Sequence, residues 1–195
     1  VNKTTSLANT IEQLNPTVSV RAIPSRVSST EFASLIAESH HAADDHLTVV
    51  LDCTDNFETR FMINQTCVNS RTPLVSGAAI RLEGQVMVYD PAIADCACYQ
   101  CLYQNASDQQ LNCAENGVAA PVVGIIGSIQ ALEVIKILLD LGDRLIGRIL
   151  AVDTTEMSFR TFKLQPDPTN PVTWANRDKI QVLDLDGLCA PGMSH

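Results

Sequence analysis

The stretch LTVVLDCTDNFETR, residues 47–60, decides the fold. Its opening apolar run has the length of a strand, and such a run is typical of a strand buried on both faces of a parallel sheet. Asp52 and Asp55 follow, and either Asp55 or Asn56 is suited to cap a helix over about residues 57–69. Ligands of open α/β sheets bind beyond the carboxyl ends of the strands, which places Asp55 where a metal ion or phosphate would lie. Taken alone, the local pattern favours helix capping as the role of Asp55.

Further elements extend outward from this stretch in both directions. Apolar spacing predicts helices over residues 3–14, 30–39 (with Thr30 as N-cap) and 118–141, the last largely buried, and strands over residues 18–23, 73–79 and 85–90. GRILAVD (147–153) and MSFRTFKL (157–164) read as a closing antiparallel pair, and QVLDLD (181–186) as at most one short strand. We therefore predict an α/β fold, an incomplete Rossmann-like and mostly parallel sheet with a C-terminal antiparallel extension. In a doubly wound strand order, residues 18–23 and 47–52 would not be hydrogen-bonded neighbours.

Composition excludes several classes of function. A net charge of −9 argues against nucleic acid as a partner, because phosphate binding needs clustered Lys and Arg. Every long apolar run contains charged or turn residues, so we expect no membrane partner. Seven cysteines without a secretory signal indicate reduced thiols and a cytoplasmic protein.

The phosphate-binding turn of a nucleotide fold is not found in this sequence. Such a sheet usually opens with a strand and a Gly-rich turn, whereas this chain has no G-x-G-x-x-G and begins with a helix pattern. We expect the nucleotide-loop half to be absent from these residues, and the isolated chain to be inactive.

Five motifs, taken together, carry a family resemblance. They are LDCTDN, TPLVSGAAIRLEGQV, CYQCLY, NCAENGVAAPVVGIIGSIQALEVIK and FRTFKL. In order and spacing they resemble the C-terminal portion of the ubiquitin-activating-enzyme-like superfamily, most closely the bacterial molybdopterin-synthase and thiamine sulfur-carrier adenylyltransferases. The resemblance covers residues 1–165 and leaves 166–195 as a tail, and SGAAIRLEGQV favours the molybdopterin branch. It implies adenylation of the C-terminal carboxylate of a ubiquitin-like sulfur-carrier protein. The alternative is a non-catalytic fragment that binds the carrier or dimerises.

The resemblance also implies roles for single residues. Asp55 would hold magnesium beside the phosphates of ATP, and Lys3, about twelve residues before Asn15-Pro16, would contact phosphate. Without the family, Lys3 reads as a solvated lysine at a helix start. Arg60 would help to position the incoming carboxylate. The family further implies a homodimer.

The cysteines allow two more site predictions. Cys98 and Cys101 are half of a Cys₄ zinc site, but the stretch where relatives carry the second half, NPVTWAN (170–176), has no cysteine. Because two thiolates rarely hold structural zinc, we expect less than one zinc per chain, with Cys96 and Cys189 as conceivable substitute ligands. Cys113 matches a family cysteine of sulfur transfer or thioester chemistry, and by local pattern alone it is an incidental thiol.

Overall fold

The computed structural model describes residues 2–41, 47–103 and 117–183. Its helices are α1 (Lys3–Leu14), α2 (Ser29–His41), α3 (Phe57–Ser70), α4 (Tyr99–Leu102) and α5 (Ala120–Leu138). Its strands are β1 (Val50–Asp52), β2 (Leu74–Ile80), β3 (Glu83–Tyr89), β4 (Arg148–Asp153) and β5 (Ser158–Lys163). The five strands form one sheet in the order β1-β2-β3-β4-β5.

Strand direction divides the sheet into two parts. β1 pairs parallel with β2, whereas β2, β3, β4 and β5 pair antiparallel in succession. The α/β fold and the closing antiparallel pair are confirmed, but within the described residues the parallel part is a single pair rather than most of the sheet. The reason lies in the connection between β2 and β3, which is the two-residue turn Arg81-Leu82, too short for the crossover that parallel strands need.

Residues 18–23 do not form the predicted strand. The segment is not assigned to any strand, and Val18 and Val20 are exposed. Alternation alone does not make a strand, because each backbone N–H and C=O also needs a neighbour in a ladder. As predicted, residues 18–23 and β1 are not neighbours, since β1 pairs with β2.

The two faces of the sheet bury different sets of side chains. Val86 and Val88 of β3 pack with α5, whereas Met87 and Tyr89 face the opposite side, where α3 and α4 lie. Side chains alternate along a strand, so one strand contributes to both cores. Contact with α5 is close at Gly84, where a Cβ atom would lie 2.5 Å from Ile126.

Helix caps differ in one case from the sequence prediction. Asn56 caps α3, because its side chain accepts a hydrogen bond from the backbone N–H of Thr59 at 2.9 Å. For α2 the cap is Ser28 rather than Thr30: the Ser28 hydroxyl accepts from the Glu31 N–H at 3.2 Å, and Glu31 accepts from the Ser28 N–H at 2.9 Å. This reciprocal pair is a capping box, which places the cap three residues before its glutamate.

Helix α5 is shorter and less buried than predicted. By length and composition alone, α5 is apolar enough to cross a membrane. Of its most apolar stretch, 28% is buried inside the protein. Its inner face nevertheless belongs to the sheet, since buried Gln130 donates to the carbonyl of Asp52 at 2.9 Å. Its outer face is apolar and exposed. The apolar composition therefore predicted burial correctly for only one side of the helix.

Residues 170–183 pack against α3. Val172 is buried with the α3 side chains, and the Gln65 side chain accepts a hydrogen bond from the Leu183 N–H at 2.6 Å. The predicted short strand is not formed at residues 181–183, and its remainder lies outside the described residues.

Candidate active site

A buried carboxylate organises the loop between β1 and α3. Asp52 is 1% exposed, and one of its oxygens accepts hydrogen bonds from the Thr54 N–H at 3.0 Å and the Thr54 hydroxyl at 2.7 Å. Its other oxygen accepts from the Ser76 hydroxyl at 2.9 Å. A carboxylate with both oxygens hydrogen-bonded can remain buried, and here it fixes the backbone that leads to Asp55.

Of the two residues that could cap α3, the structure uses Asn56, and the magnesium role of Asp55 stays a prediction. Asn56 caps α3, so Asp55 is not needed for that purpose. The Asp55 carboxylate is exposed, and its contact with the Asn56 side chain is long, at 3.5 Å. Asp55 is therefore presented to solvent beyond the carboxyl end of β1, where carboxylate oxygens suit a hard cation such as magnesium.

Arg60 is directed at the loop. Its guanidinium Nε and Nη2 donate to the carbonyl of Thr54, the former at 3.1 Å, and its Nη1 lies 3.4 Å from the Tyr99 hydroxyl. The side chain is 7% exposed. The structure thus gives Arg60 a structural contact with the residue before Asp55, and its role toward a substrate carboxylate stays a prediction.

A groove of about 400 Å³ begins at Asp55. Strands β2 to β5 form one side, and Phe57, Arg60, Tyr99 and Tyr103 form the other. The aromatic rings pack on each other, with centroids 4.9 Å apart for Tyr99–Tyr103 and 5.5 Å for Phe57–Tyr103. The groove is therefore apolar along one wall, which suits an extended peptide better than a bare phosphate.

The charged residues of the groove are mixed in sign. Four carboxylates and two arginines line it: Asp55, Glu83, Asp153, Glu156, Arg60 and Arg160. Burial raises the pKa of Tyr99 to about 12 and also raises the pKa of Tyr103. Both phenols are therefore neutral hydrogen-bond donors at pH 7, and Tyr103 donates to Gln85 at 2.8 Å.

Two predicted site residues are not brought to the groove. Lys3 is exposed in the first turn of α1 and is not part of the groove lining. Cys113 lies outside the described residues. The roles of both residues stay predictions.

The thiols of Cys98 and Cys101 lie together, as their spacing predicts. Their sulfur atoms are 3.9 Å apart, and the stretch 170–172 does pack on them, as the resemblance implies. The neighbours it brings are the Asn170 amide and the Val172 carbonyl, not thiolates. Within residues 2–41, 47–103 and 117–183, no group of three His, Cys, Asp or Glu could hold a metal ion. The described donor set does not fit a structural zinc site.

Sequence reasoning missed several supporting residues. Three of them meet at the end of β1, namely Asp52, Ser76 and Gln130. They are far apart in the sequence, and each occupies an ordinary strand or helix position. One signal was available for Asp52, since a carboxylate that ends a buried strand must find partners. For Tyr99 and Tyr103 the i, i+4 spacing indicated a shared helix face, but not which surface it would line.

The family comparison covers most of the chain. The model of the ThiF family matches residues 1–172. The chain is 41% identical over 162 residues to the molybdopterin-synthase adenylyltransferase of Haemophilus influenzae, covering 82% of this chain and 61% of that protein. It is 38% identical over 166 residues to the Escherichia coli protein of the same name, covering 85% and 63%. The chain thus spans about three fifths of the length of these relatives.

Solved structures share the fold. Escherichia coli MccB with ATP matches with a TM-score of 0.66 and 17% identity, over 88% of this chain and 50% of that one. PaaA matches with a TM-score of 0.61 and 14% identity, over 83% and 55%. At such identities the likeness concerns the fold alone.

Proposed function

The chain belongs to the ThiF family, and from that premise we propose that it takes part in ATP-dependent adenylation of the C-terminal carboxylate of a ubiquitin-like sulfur-carrier protein. The observation that carries this proposal is the placement of Asp55. Its carboxylate is exposed at the carboxyl end of β1, follows a loop held by the buried Asp52, and lines a groove of about 400 Å³. The two relatives described above are named for the same reaction class.

The chemistry requires charge control rather than a general base. A C-terminal carboxyl group has a reference pKa of about 3.5, so it is ionised at pH 7 and can attack the α-phosphorus of ATP directly. Two anions must then approach each other, and negative charge accumulates on the phosphate oxygens. Magnesium would supply the positive charge there, and Asp55 is the described residue placed to hold it.

The remaining residues act through position. Asp52 fixes Thr54 from one side through its carboxylate, and Arg60 holds the Thr54 carbonyl from the other. Both contacts restrict the backbone immediately before Asp55, which keeps the carboxylate at the mouth of the groove. The groove would receive the extended C-terminal segment of the carrier, with the aromatic wall excluding water from it.

Asp55→Asn tests this proposal. Carrier-dependent exchange of pyrophosphate into ATP, measured on the full gene product, should fall on the order of 10²–10³ because the ligand for the cation is lost. Thermal unfolding should be unchanged, since Asn56 caps α3. Asp140→Asn, at an exposed carboxylate paired with Arg144, is the matched control. Exchange near the wild-type level in Asp55→Asn would remove Asp55 from the reaction, and carrier binding without exchange in the wild type would indicate a docking module.

The carrier is proposed to be that of molybdopterin rather than thiamine biosynthesis. Support comes from the two relatives, both of which carry molybdopterin synthase in their names. Exchange assays with one carrier of each type would separate the two. A higher kcat/KM with the thiamine carrier would overturn this assignment.

A homodimer through α5 is proposed from the outer face of this helix. Leu132, Ile135, Leu138 and Leu139 are each about half exposed. The one lysine of this helix, Lys136, pairs at 2.5 Å with Glu133, which is buried, so the outer face has little net charge. Small exposed residues lie in the amino-terminal half, namely Gly124, Gly127 and Ser128, beside the exposed Val123, and Ala131 lies just past the middle of the helix.

The order of small and large residues explains why a second copy fits this face. A twofold axis perpendicular to α5 would set two copies of the helix antiparallel, so that the large residues of each helix meet the small residues of the other. This self-complementary arrangement buries the apolar face without unpaired charge. The proposal therefore commits to a second copy of this chain as the occupant.

A further inference from the structure

The thiol pair Cys98 and Cys101 has an environment that the adenylation chemistry does not use. The sulfur atoms lie 3.9 Å apart. Cys98 is 1% exposed, whereas Cys101, in the one-turn helix α4, is only partly buried. One thiol of the pair is thus more exposed than the other.

Hydrogen bonds, rather than further thiolates, surround the two sulfur atoms. The Asn170 amide donates to the sulfur of Cys98 at 3.5 Å and to that of Cys101 at 3.3 Å. The Asn64 amide donates to Cys98 at 3.5 Å, and the Cys98 thiol lies 3.1 Å from the Val172 carbonyl, to which it can donate. These amide donors stabilise negative charge on sulfur by hydrogen bonding, the task that a metal ion performs in a Cys₄ site.

The pair is also asymmetric in its surroundings. The Cys98 sulfur is buried and receives the amides of Asn64 and Asn170, whereas Cys101 is only partly buried and receives the amide of Asn170. Cys101 is therefore the thiol placed to meet a small disulfide, and Cys98 is the resolving thiol behind it.

We propose that Cys98 and Cys101 form a metal-free redox dithiol, which a small disulfide of the glutathione class oxidises to an intrachain disulfide. A disulfide bond is about 2.05 Å long, so the sulfur atoms must approach by roughly 1.9 Å from their present separation. The C-x-x-C spacing places both on one turn, and rotation of the more exposed Cys101 side chain brings them together.

Oxidation proceeds by two thiol–disulfide exchanges. The Cys101 thiolate attacks one sulfur of the small disulfide, forming a mixed disulfide and releasing one small thiolate, which takes a proton from water. Cys98 then loses its proton and attacks the Cys101 sulfur, expelling the second small thiol. The protein pair is oxidised by two electrons, and the small disulfide is reduced to two thiols.

The test uses the reduced, purified chain treated with oxidised glutathione at pH 7, followed by intact mass and cysteine mapping. The wild type should lose the thiols of Cys98 and Cys101 without retaining glutathione at either position. Cys98→Ser should retain one glutathione on Cys101 because the resolving thiol is gone, and Cys101→Ser should leave Cys98 unmodified because the attacking thiolate is gone. Cys53→Ser, which removes an exposed thiol outside the pair, is the matched control and should oxidise like the wild type.

A measurement on the unmutated chain protects the test from a variant that fails to fold. In the unmutated chain, iodoacetamide should label Cys98 and Cys101 before oxidation and after reduction with dithiothreitol, and neither of them after treatment with oxidised glutathione. The proposal is overturned if Cys101 stays reduced in excess oxidised glutathione, or if the wild type keeps glutathione on Cys101. It is equally overturned if the disulfide joins Cys101 to Cys113 or Cys189, or if one bound zinc per chain protects both thiols until a chelator is added.

Discussion

Asp52 and Asp55 are three residues apart, yet the structure gives their carboxylates opposite environments. Asp52 is buried, and its two oxygens accept hydrogen bonds from Thr54 and Ser76, whereas Asp55 is exposed at the groove. The buried carboxylate cannot reach a ligand, and its effect on the reaction must pass through the backbone of residues 53–55. Asp52 is thus a positioning residue for the proposed adenylation.

Asp52→Ala should therefore affect both stability and activity. Unpaired donors on Thr54 and Ser76 should cost about 1–3 kcal/mol of the free energy of unfolding. A shifted Asp55 should slow pyrophosphate exchange by about 10-fold or more. Urea denaturation and the exchange assay measure the two effects, and Asp52→Asn, which keeps the bonds at one oxygen, should lose less of each. Equal exchange rates for the wild type and Asp52→Ala would show that the loop holds its shape without this carboxylate.

For single residues, the sequence predicted that the strand ends in polar side chains, but not which of them caps the following helix. Asp55 and Asn56 are both good caps, and only the packed geometry shows that Asn56 takes the role. The predicted role of Arg60 toward the substrate carboxylate stays a prediction, and its contact with the Thr54 carbonyl, which depends on how α3 leaves the loop, does not follow from the sequence. Such choices depend on tertiary distances of a few ångströms, which spacing along the chain does not encode.

Among the elements, α2 offers a pH-dependent cap. The hydrogen bond from the Ser28 backbone, and then that from its hydroxyl, lower the pKa of Glu31 below its reference value of 4.5. A lowered folded pKa means that the ionised glutamate stabilises α2 above about pH 4.5, and that this contribution is lost as the pH falls through the folded value.

Ser28→Ala should raise the pKa of Glu31 toward 4.5 and destabilise α2 by about 1 kcal/mol through loss of the N-cap. Carbonyl NMR titration of Glu31 measures the first effect, and chemical denaturation the second. Thr30→Ala is the control, since Thr30 is the cap that the sequence pattern predicts and does not cap the helix. A larger loss in Thr30→Ala than in Ser28→Ala would contradict the observed capping box.

The contact between β3 and α5 gives a packing prediction. Gly84→Ala would place a Cβ atom 2.5 Å from the Ile126 side chain and 3.2 Å from the Ala78 carbonyl. The resulting overpacking should cost about 1–3 kcal/mol. A double-mutant cycle with Ile126→Ala measures the coupling: the double variant should lose less stability than the sum of the singles. Strict additivity would mean that the helix shifts away from Gly84 at no cost.

Element prediction succeeded where local and long-range signals agreed. The limits of α1 and the closing β4–β5 pair follow directly from the sequence pattern. Residues 18–23 alternate just as well, but no strand lies beside them in the described chain, so their pattern is not used. The prediction that α5 is largely buried was wrong for a different reason. Its composition is apolar on every side, so the sequence does not reveal which side meets the sheet.

For the whole molecule, the outer face of α5 predicts association. Leu132→Glu should convert the proposed dimer to a monomer, because it would bury like charges near a twofold axis. Sedimentation velocity measures the change in mass. Met157→Glu, at an exposed apolar residue in the β4–β5 turn, should leave the dimer intact. A monomeric wild type would refute the proposed dimer, and binding to phospholipid vesicles that Leu132→Glu abolishes would assign the face to a membrane.

The sheet also separates two sets of evolutionary constraints. Along β3, Val86 and Val88 pack against α5, whereas Gln85 and Met87 lie on the side of the groove and its aromatic wall. Substitutions at Gln85 or Ala78 can therefore change what the groove accepts while the helix packing on the far side is conserved. Substitutions on the groove side of the strands can thus alter the surface proposed to bind the carrier, while the packing under α5 and the stability that it provides are kept.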